Sequence, residues 1–153
     1  MYIKKIVCTV QEEKREAFDQ AQRQWAPLSQ VSGFLGQVGG WNGDDAVIIA
    51  FWESKEAYKS FMEDVHDQIF NHNRQKNTYN SISVTLCKTN KIYTQLREAL
   101  LETNTISMNK TDQRLFTMIA SDEHSEEVIY LAFHPNEKGD IRLYHPWTVL
   151  PNE

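Results

Sequence analysis

Ala46-Val47-Ile48-Ile49-Ala50-Phe51-Trp52 is the stretch that decides the fold. It follows a strong turn signal, Asn42-Gly43-Asp44-Asp45, and precedes Ser54, a good helix N-cap. Side chains alternate along a strand, so Val47, Ile49 and Phe51 share one face while Ala46, Ile48, Ala50 and Trp52 share the other. Both sets are apolar. Such a strand belongs inside a sheet that is covered on both sides.

The neighbouring segments extend this reading. Tyr2–Val10 has the same character, with Ile6, Cys8 and Val10 on one face and Ile3, Val7 and Thr9 on the other. Gly33–Trp41 reads as a strand carrying Gly33, Gly36, Gly39 and Gly40, a density that points to an edge, a bulge or close backbone approach. Ser81–Lys88 reads as a fourth strand. Gln11–Ser29 is predicted helical: Ala17, Phe18, Ala21, Trp25 and Leu28 recur at helical spacing, and Glu12 and Glu13 favour the positive end of the helix dipole. A second helix is predicted from Ser54 to about Gln75, with an apolar stripe of Tyr58, Phe61, Met62, Val65, Ile69 and His72. The order is β-α-β-β-α-β, the ferredoxin-like α+β arrangement with an antiparallel sheet in the order 4-1-3-2. That order makes strands one and three central and the glycine-rich strand two an edge, as their compositions ask.

Residues 91–153 are read as an extension of this first unit, 1–90. Lys91–Thr103 has helical spacing, and three strand-like runs follow: Arg114–Ala120, Glu127–His134 and Ile141–Leu150. With Asn136-Glu137-Lys138-Gly139-Asp140 as a turn, they read as an antiparallel three-stranded meander. The pattern leaves open whether this part packs on the first sheet or forms its own lobe.

Composition excludes several function classes. The 153 residues carry a net charge of −5, and the 16 Lys and Arg are scattered with no basic stripe, so nucleic acid and anionic membrane surfaces are not expected partners. The two cysteines, Cys8 and Cys87, form no Cys-x-x-Cys pair, which speaks against a disulfide framework or a zinc ribbon. Met1–Val10 lacks a signal-peptide pattern and no apolar run approaches the length of a membrane span, so a cytoplasmic location is expected. Serine elbows, phosphate-binding glycine loops and dinucleotide fingerprints are absent, and no cofactor is expected from the sequence.

Val31-Ser32-Gly33-Phe34-Leu35-Gly36, the run from Ile48 through Trp52-Glu53-Ser54-Lys55-Glu56-Ala57-Tyr58, and Phe61 together resemble antibiotic-biosynthesis-monooxygenase-like proteins. These are dimeric α+β barrels, and Phe61–Phe70 is similar to a branch from bacilli. The resemblance covers about residues 1–90. It implies a homodimer in which a second subunit's sheet covers the face that the helices leave bare; cover by residues 91–153 of the same chain is the competing arrangement. Heme-degrading members use an Asn on strand one, a Trp on helix two and a His near its end. Here strand one offers Val7, Cys8 and Thr9, the helix-two aromatic is Phe61, and only His72 can stand in for the His, so heme degradation is not expected.

His66 and His72 are six residues apart, about 120° around a helix, and cannot chelate a metal together. No metal site is expected. A pocket, if present, should lie between the sheet and its two helices, lined by Trp25, Phe61, Val65 and His72, with Cys8 as its floor. The resulting expectation is a protein that binds a small apolar or aromatic molecule, with cofactor-free oxygenation among the activities the resemblance implies. The alternative is a non-catalytic binding or assembly module of the same fold. Cys8 and Cys87, on neighbouring strands, are expected close together and unbonded.

Overall fold

A computed structural model describes residues 1–89, 94–109, 117–125 and 127–152. Its first half is the expected unit. Strands β1 (Tyr2–Thr9), β2 (Phe34–Asn42), β3 (Asp45–Trp52) and β4 (Ser81–Lys88) lie in the order β4-β1-β3-β2, all antiparallel. Helix α1 (Arg15–Arg23) is shorter than its apolar pattern, because Pro27 cannot continue the ladder and the chain turns through a 3₁₀ segment, Ala26–Gln30. Ser54 caps α2 (Lys55–Asp64), its side chain accepting from the Ala57 amide at 3.1 Å. The predicted second helix is not continuous. It breaks at Val65, which has non-helical φ/ψ of −125° and −34°, and restarts as α3 (His66–Asn73).

Among the described residues the second half has four strands where three were expected. After α4 (Leu96–Glu102) come β5 (Thr105–Asn109), β6 (Thr117–Asp122), β7 (Val128–His134) and β8 (Ile141–Leu143). The predicted helix begins within residues 90–93 and the predicted strand Arg114–Ala120 within 110–116, which lie outside the described residues. β6 and β7 form the expected hairpin. The meander does not continue, because β8 skips β7 and pairs with β5 on one side and β2 on the other. The strand that makes this possible is β5, whose Thr105-Ile106-Ser107-Met108-Asn109 is too short and too polar to announce itself. Gly139 lets the connection pass close over β5: its amide donates to Thr105 Oγ1 at 2.8 Å, and a Cβ would collide with that oxygen.

The eight strands among the described residues close into one barrel, β1-β3-β2-β8-β5-β7-β6-β4. The second half runs β8-β5-β7-β6, so it repeats the 4-1-3-2 order of the first. Two seams join the halves: Gly40 and Trp41 of β2 pair with Leu143 and Arg142, and Cys87 and Lys88 of β4 pair with Asp122 and Ser121. At the first seam a Cβ on Gly40 would run into the Arg142 carbonyl, so only glycine permits that approach. The barrel interior is one apolar cluster drawn from both halves. Ile3, Val38, Ile49, Phe51 and Cys87 meet Leu100, Ile106, Leu131 and Ile141 there. The bare face of the first sheet is thus covered by this chain itself, and the reason for a second subunit's sheet on that face disappears.

The cysteines are free and buried, as expected, but not close. Cys8 pairs in register with Ile82 and Cys87 with Ile3. Cys87 faces the barrel interior, while Cys8 lies in a cluster on the outer face, packed with Phe18, Ile48 and Trp147. Trp147, from the His145-Pro146-Trp147 turn, is fully buried against Phe18 and Trp41 and donates its indole N–H to Asp19 at 2.8 Å. It anchors the C-terminal segment to α1.

Candidate functional site

The outward residues of β1 are Tyr2, Lys4, Ile6 and Cys8, in phase with Ile48, Ala50 and Trp52 of β3. The helices do not fill the space above them. A cavity of about 100 Å³ remains, walled on the sheet side by Lys4, Ile6, Cys8, Ala50 and Trp52, and on the helix side by Trp25, Tyr58, Phe61, His66 and Phe70. That is room for several waters or a single ring, since one water needs roughly 10–15 Å³ on the same measure. Ile82 and Val84 of β4 line its rim and are largely exposed, at 51% and 44%.

One end of the cavity is fixed by a buried amide network. Arg74 adopts the left-handed conformation at the end of α3, with φ of 57°, and the turn carries Gln75 inward. Gln75 Oε1 accepts from the Trp25 indole N–H at 2.7 Å, and Gln75 Nε2 donates to Gln22 Oε1 at 2.8 Å. Trp25 is thereby held by a hydrogen bond as well as by packing, and its ring lies 6.5 Å from Phe61 and 5.6 Å from His66.

Of the residues the sequence singled out, Cys8, Trp25 and Phe61 line the cavity. Val65 and His72 are placed elsewhere. Val65 is half-buried at a separate shallow depression with Pro27, Val31 and Ala57, and His72 is exposed in the last turn of α3. The break at Val65 is the cause: it resets the helical phase, so that His66, Ile69, Phe70 and Asn73 turn inward and His72 outward. His66 takes the place in the wall. Its ring stacks on Phe70 at 5.6 Å and meets Phe61 edge-on, and Nδ1 lies 3.1 Å from Asp67 Oδ1. With the proton on Nδ1, Nε2 keeps its lone pair.

The sequence reading passed over Lys4, though it falls two residues before Ile6 on the face that carries Ile6 and Cys8. Lys4 is only 9% exposed. Its ammonium lies 3.7 Å from Met62 Sδ and 5.0 Å from the centre of the Tyr58 ring. Burial lowers its pKa from the usual 10.5 to about 8. Burial also pushes the Cys8 thiol up to about 11, aided by the charge of Asp45, so Cys8 stays protonated at neutral pH and is a poor nucleophile. Trp52 and Gln37, which also line the cavity, each carry a fully buried donor, Nε1 and Nε2, without a hydrogen-bond partner among the described residues. Among the described residues no three His, Cys, Asp or Glu side chains come together as a metal site, and no helix is long and apolar enough to cross a membrane.

Residues 2–87, which carry β1–β3, all but the last residue of β4 and every wall residue, match a family described as a domain of unknown function, DUF4937. The chain belongs to that family. Uncharacterized protein YdbC of Bacillus subtilis (strain 168) is 46% identical over 96 residues, 60% of this chain and 81% of that protein. Two solved structures share the fold: a candidate monooxygenase from Fusobacterium nucleatum (TM-score 0.58, 10% identity, 85% of this chain and 73% of that one) and one from Lactobacillus acidophilus (TM-score 0.57, 13% identity, 94% and 76%). Both overlaps run beyond the family domain into the second half. At 10% and 13% identity these likenesses show a shared fold, which is the fold expected from the sequence.

Proposed function

We propose that the outer-face cavity is a binding site for one small, largely aromatic molecule. The observation that carries this is the combination of an unfilled, aromatic-walled space with unmet polar groups in its wall. Packed interiors leave few voids larger than a water, and buried donors are almost always paired. Here the void lies beside the buried Lys4 and beside two residues, Trp52 and Gln37, that carry buried donors without a partner among the described residues. The apolar rim of Ile82 and Val84 is a natural entrance for a ring. His66, whose Nε2 keeps its lone pair when Nδ1 bonds Asp67, is a wall group able to take a proton from a bound molecule. That capacity, with solved neighbours named as candidate monooxygenases, supports cofactor-free oxygenation over a passive binding module.

The test is a fragment series of single-ring compounds read by thermal shift and by ligand-detected NMR, followed by oxygen uptake with any binder. Trp25→Ala and Phe61→Ala should weaken binding, whereas Val65→Ala and His72→Ala should leave it unchanged. A series with no binder, or one in which His72→Ala alone abolishes binding, would overturn this assignment.

A further inference from the structure

Resting on that reading of the cavity, we infer that its ligand carries an anionic oxygen group, a carboxylate on a small aromatic ring, and that Lys4 is the cation that pairs with it. The wall contains no Asp or Glu. Lys4 forms no ion pair with any carboxylate among the described residues; its polar contact is the weakly accepting Met62 sulfur. A buried cation without a counter-charge is costly, and a ligand that brings the counter-charge removes that cost. The other titratable groups in the wall do not supply it. Tyr58, Tyr79 and Cys8 are each shifted upward, first by burial, and remain neutral. His66 brings no negative charge, and its acidic neighbour Asp67 points to solvent, 84% exposed.

The remaining unmet groups have the same polarity. Trp52 Nε1 and Gln37 Nε2 are donors without a partner among the described residues, so they add no counter-charge for Lys4. The flat rings of Trp25, Trp52, Phe61 and Phe70 suit an aromatic body, and about 100 Å³ limits that body to roughly one ring. A phosphate ester would need more than one cation and several converging donors, which this wall does not present.

The probes are benzoate, its neutral counterpart benzyl alcohol, and benzylamine, titrated into the full-length chain and into Lys4→Met by calorimetry or ligand-detected NMR. Benzoate should bind the native chain at least tenfold more tightly than benzyl alcohol, benzylamine should not bind, and Lys4→Met should erase the preference while keeping benzyl alcohol. With the native chain alone, the benzoate preference should fall as pH rises from 7 to 9, through the titration of Lys4, while benzyl alcohol binding stays constant. This second arm serves if the variant does not fold. Equal binding of benzoate and benzyl alcohol, or a preference that survives Lys4→Met or pH 9, would overturn the inference and leave the cavity as a binding site. No binding of any probe would overturn both.

Discussion

The two faces of the first sheet use the same four strands and reach opposite results. The inner face meets the strands of the second half. Its side chains are mostly aliphatic, and Ile3, Val38 and Phe51 are wholly buried against Leu100, Ile106 and Leu131. The outer face, which carries Trp52, meets the helical segments, and its partners there are rings: Trp25, Tyr58, Phe61 and Phe70. Branched aliphatic residues interdigitate between sheets and leave little space. Large flat rings between a sheet and a broken helix do not, and here they leave a cavity. Close packing is therefore concentrated on one face and the unfilled space on the other.

Phe51→Ala and Phe61→Ala test that division most directly. Phe51 is fully enclosed, so its truncation should cost about 3–5 kcal/mol in denaturant unfolding. Phe61 already borders a cavity, and its loss should cost less, about 1–2 kcal/mol, because fewer contacts are forfeited. Equal costs would break the comparison and make the outer face an ordinary core. The inner face also bears on assembly. With its cover supplied by the same chain, light scattering at micromolar concentration should return a mass near 17.9 kDa. Twice that mass would show that copies pair through some other surface.

Lys4→Met sharpens the comparison through its sign. The folded-state pKa of Lys4, about 8, lies below the usual 10.5. Between those values the unfolded chain holds more protons than the folded one, so this group's contribution to stability rises with pH across the window. Below pH 8 its penalty is fully present. Replacing it with Met should therefore stabilise the protein at pH 7, by roughly 2–3 kcal/mol, with the gain shrinking to nothing by about pH 10.5. Unfolding of both chains at several pH values checks this. A loss of stability at pH 7 would mean that the ammonium has a partner worth more than its burial costs.

Much of the first half was legible because its signals are redundant. Ala46–Trp52 is apolar on both faces, Ser54 is both a predicted and an observed cap, and the glycine-rich strand two lies beside the central strand three. The second half was less legible because its strands are short. β8 has three residues and β5 five, and both are specified by what they pair with rather than by a pattern of their own. Repetition of the 4-1-3-2 order is a property of pairing, invisible along the chain. The cavity was legible in its location and in three lining residues, Cys8, Trp25 and Phe61. One non-helical residue, Val65, was enough to exchange His72 for His66, since periodicity cannot see a break that no proline or glycine marks. Lys4 could have been found: it keeps the alternation of Ile6 and Cys8, and a lysine in phase with a buried face is the informative exception.

The smallest expected effect concerns the seam that lets one chain supply both faces. Glu123, in the turn after β6, reaches back to the first half: Tyr2 donates its hydroxyl to the carboxylate, and the Lys55 ammonium pairs with it. Its backbone amide also donates to the Leu86 carbonyl at 2.8 Å. The hydrogen bond from Lys55, and then that from Tyr2, hold the carboxyl at about 2, below its usual 4.5. A group depressed in this way stabilises the fold above the unfolded pKa, and that contribution is lost as pH falls from about 4.5 toward 2. Lys55 is partly exposed, so solvent screening keeps the effect small. Glu123→Gln should lower stability at pH 7 by under about 1 kcal/mol, and the native and variant chains should converge as pH drops to about 2. Melting curves at pH 7, 4 and 2.5 would follow the convergence. A gap that stays constant with pH would assign the clasp to packing and the backbone bond to Leu86, and the closure of the barrel at this seam would then owe nothing to the ion pair.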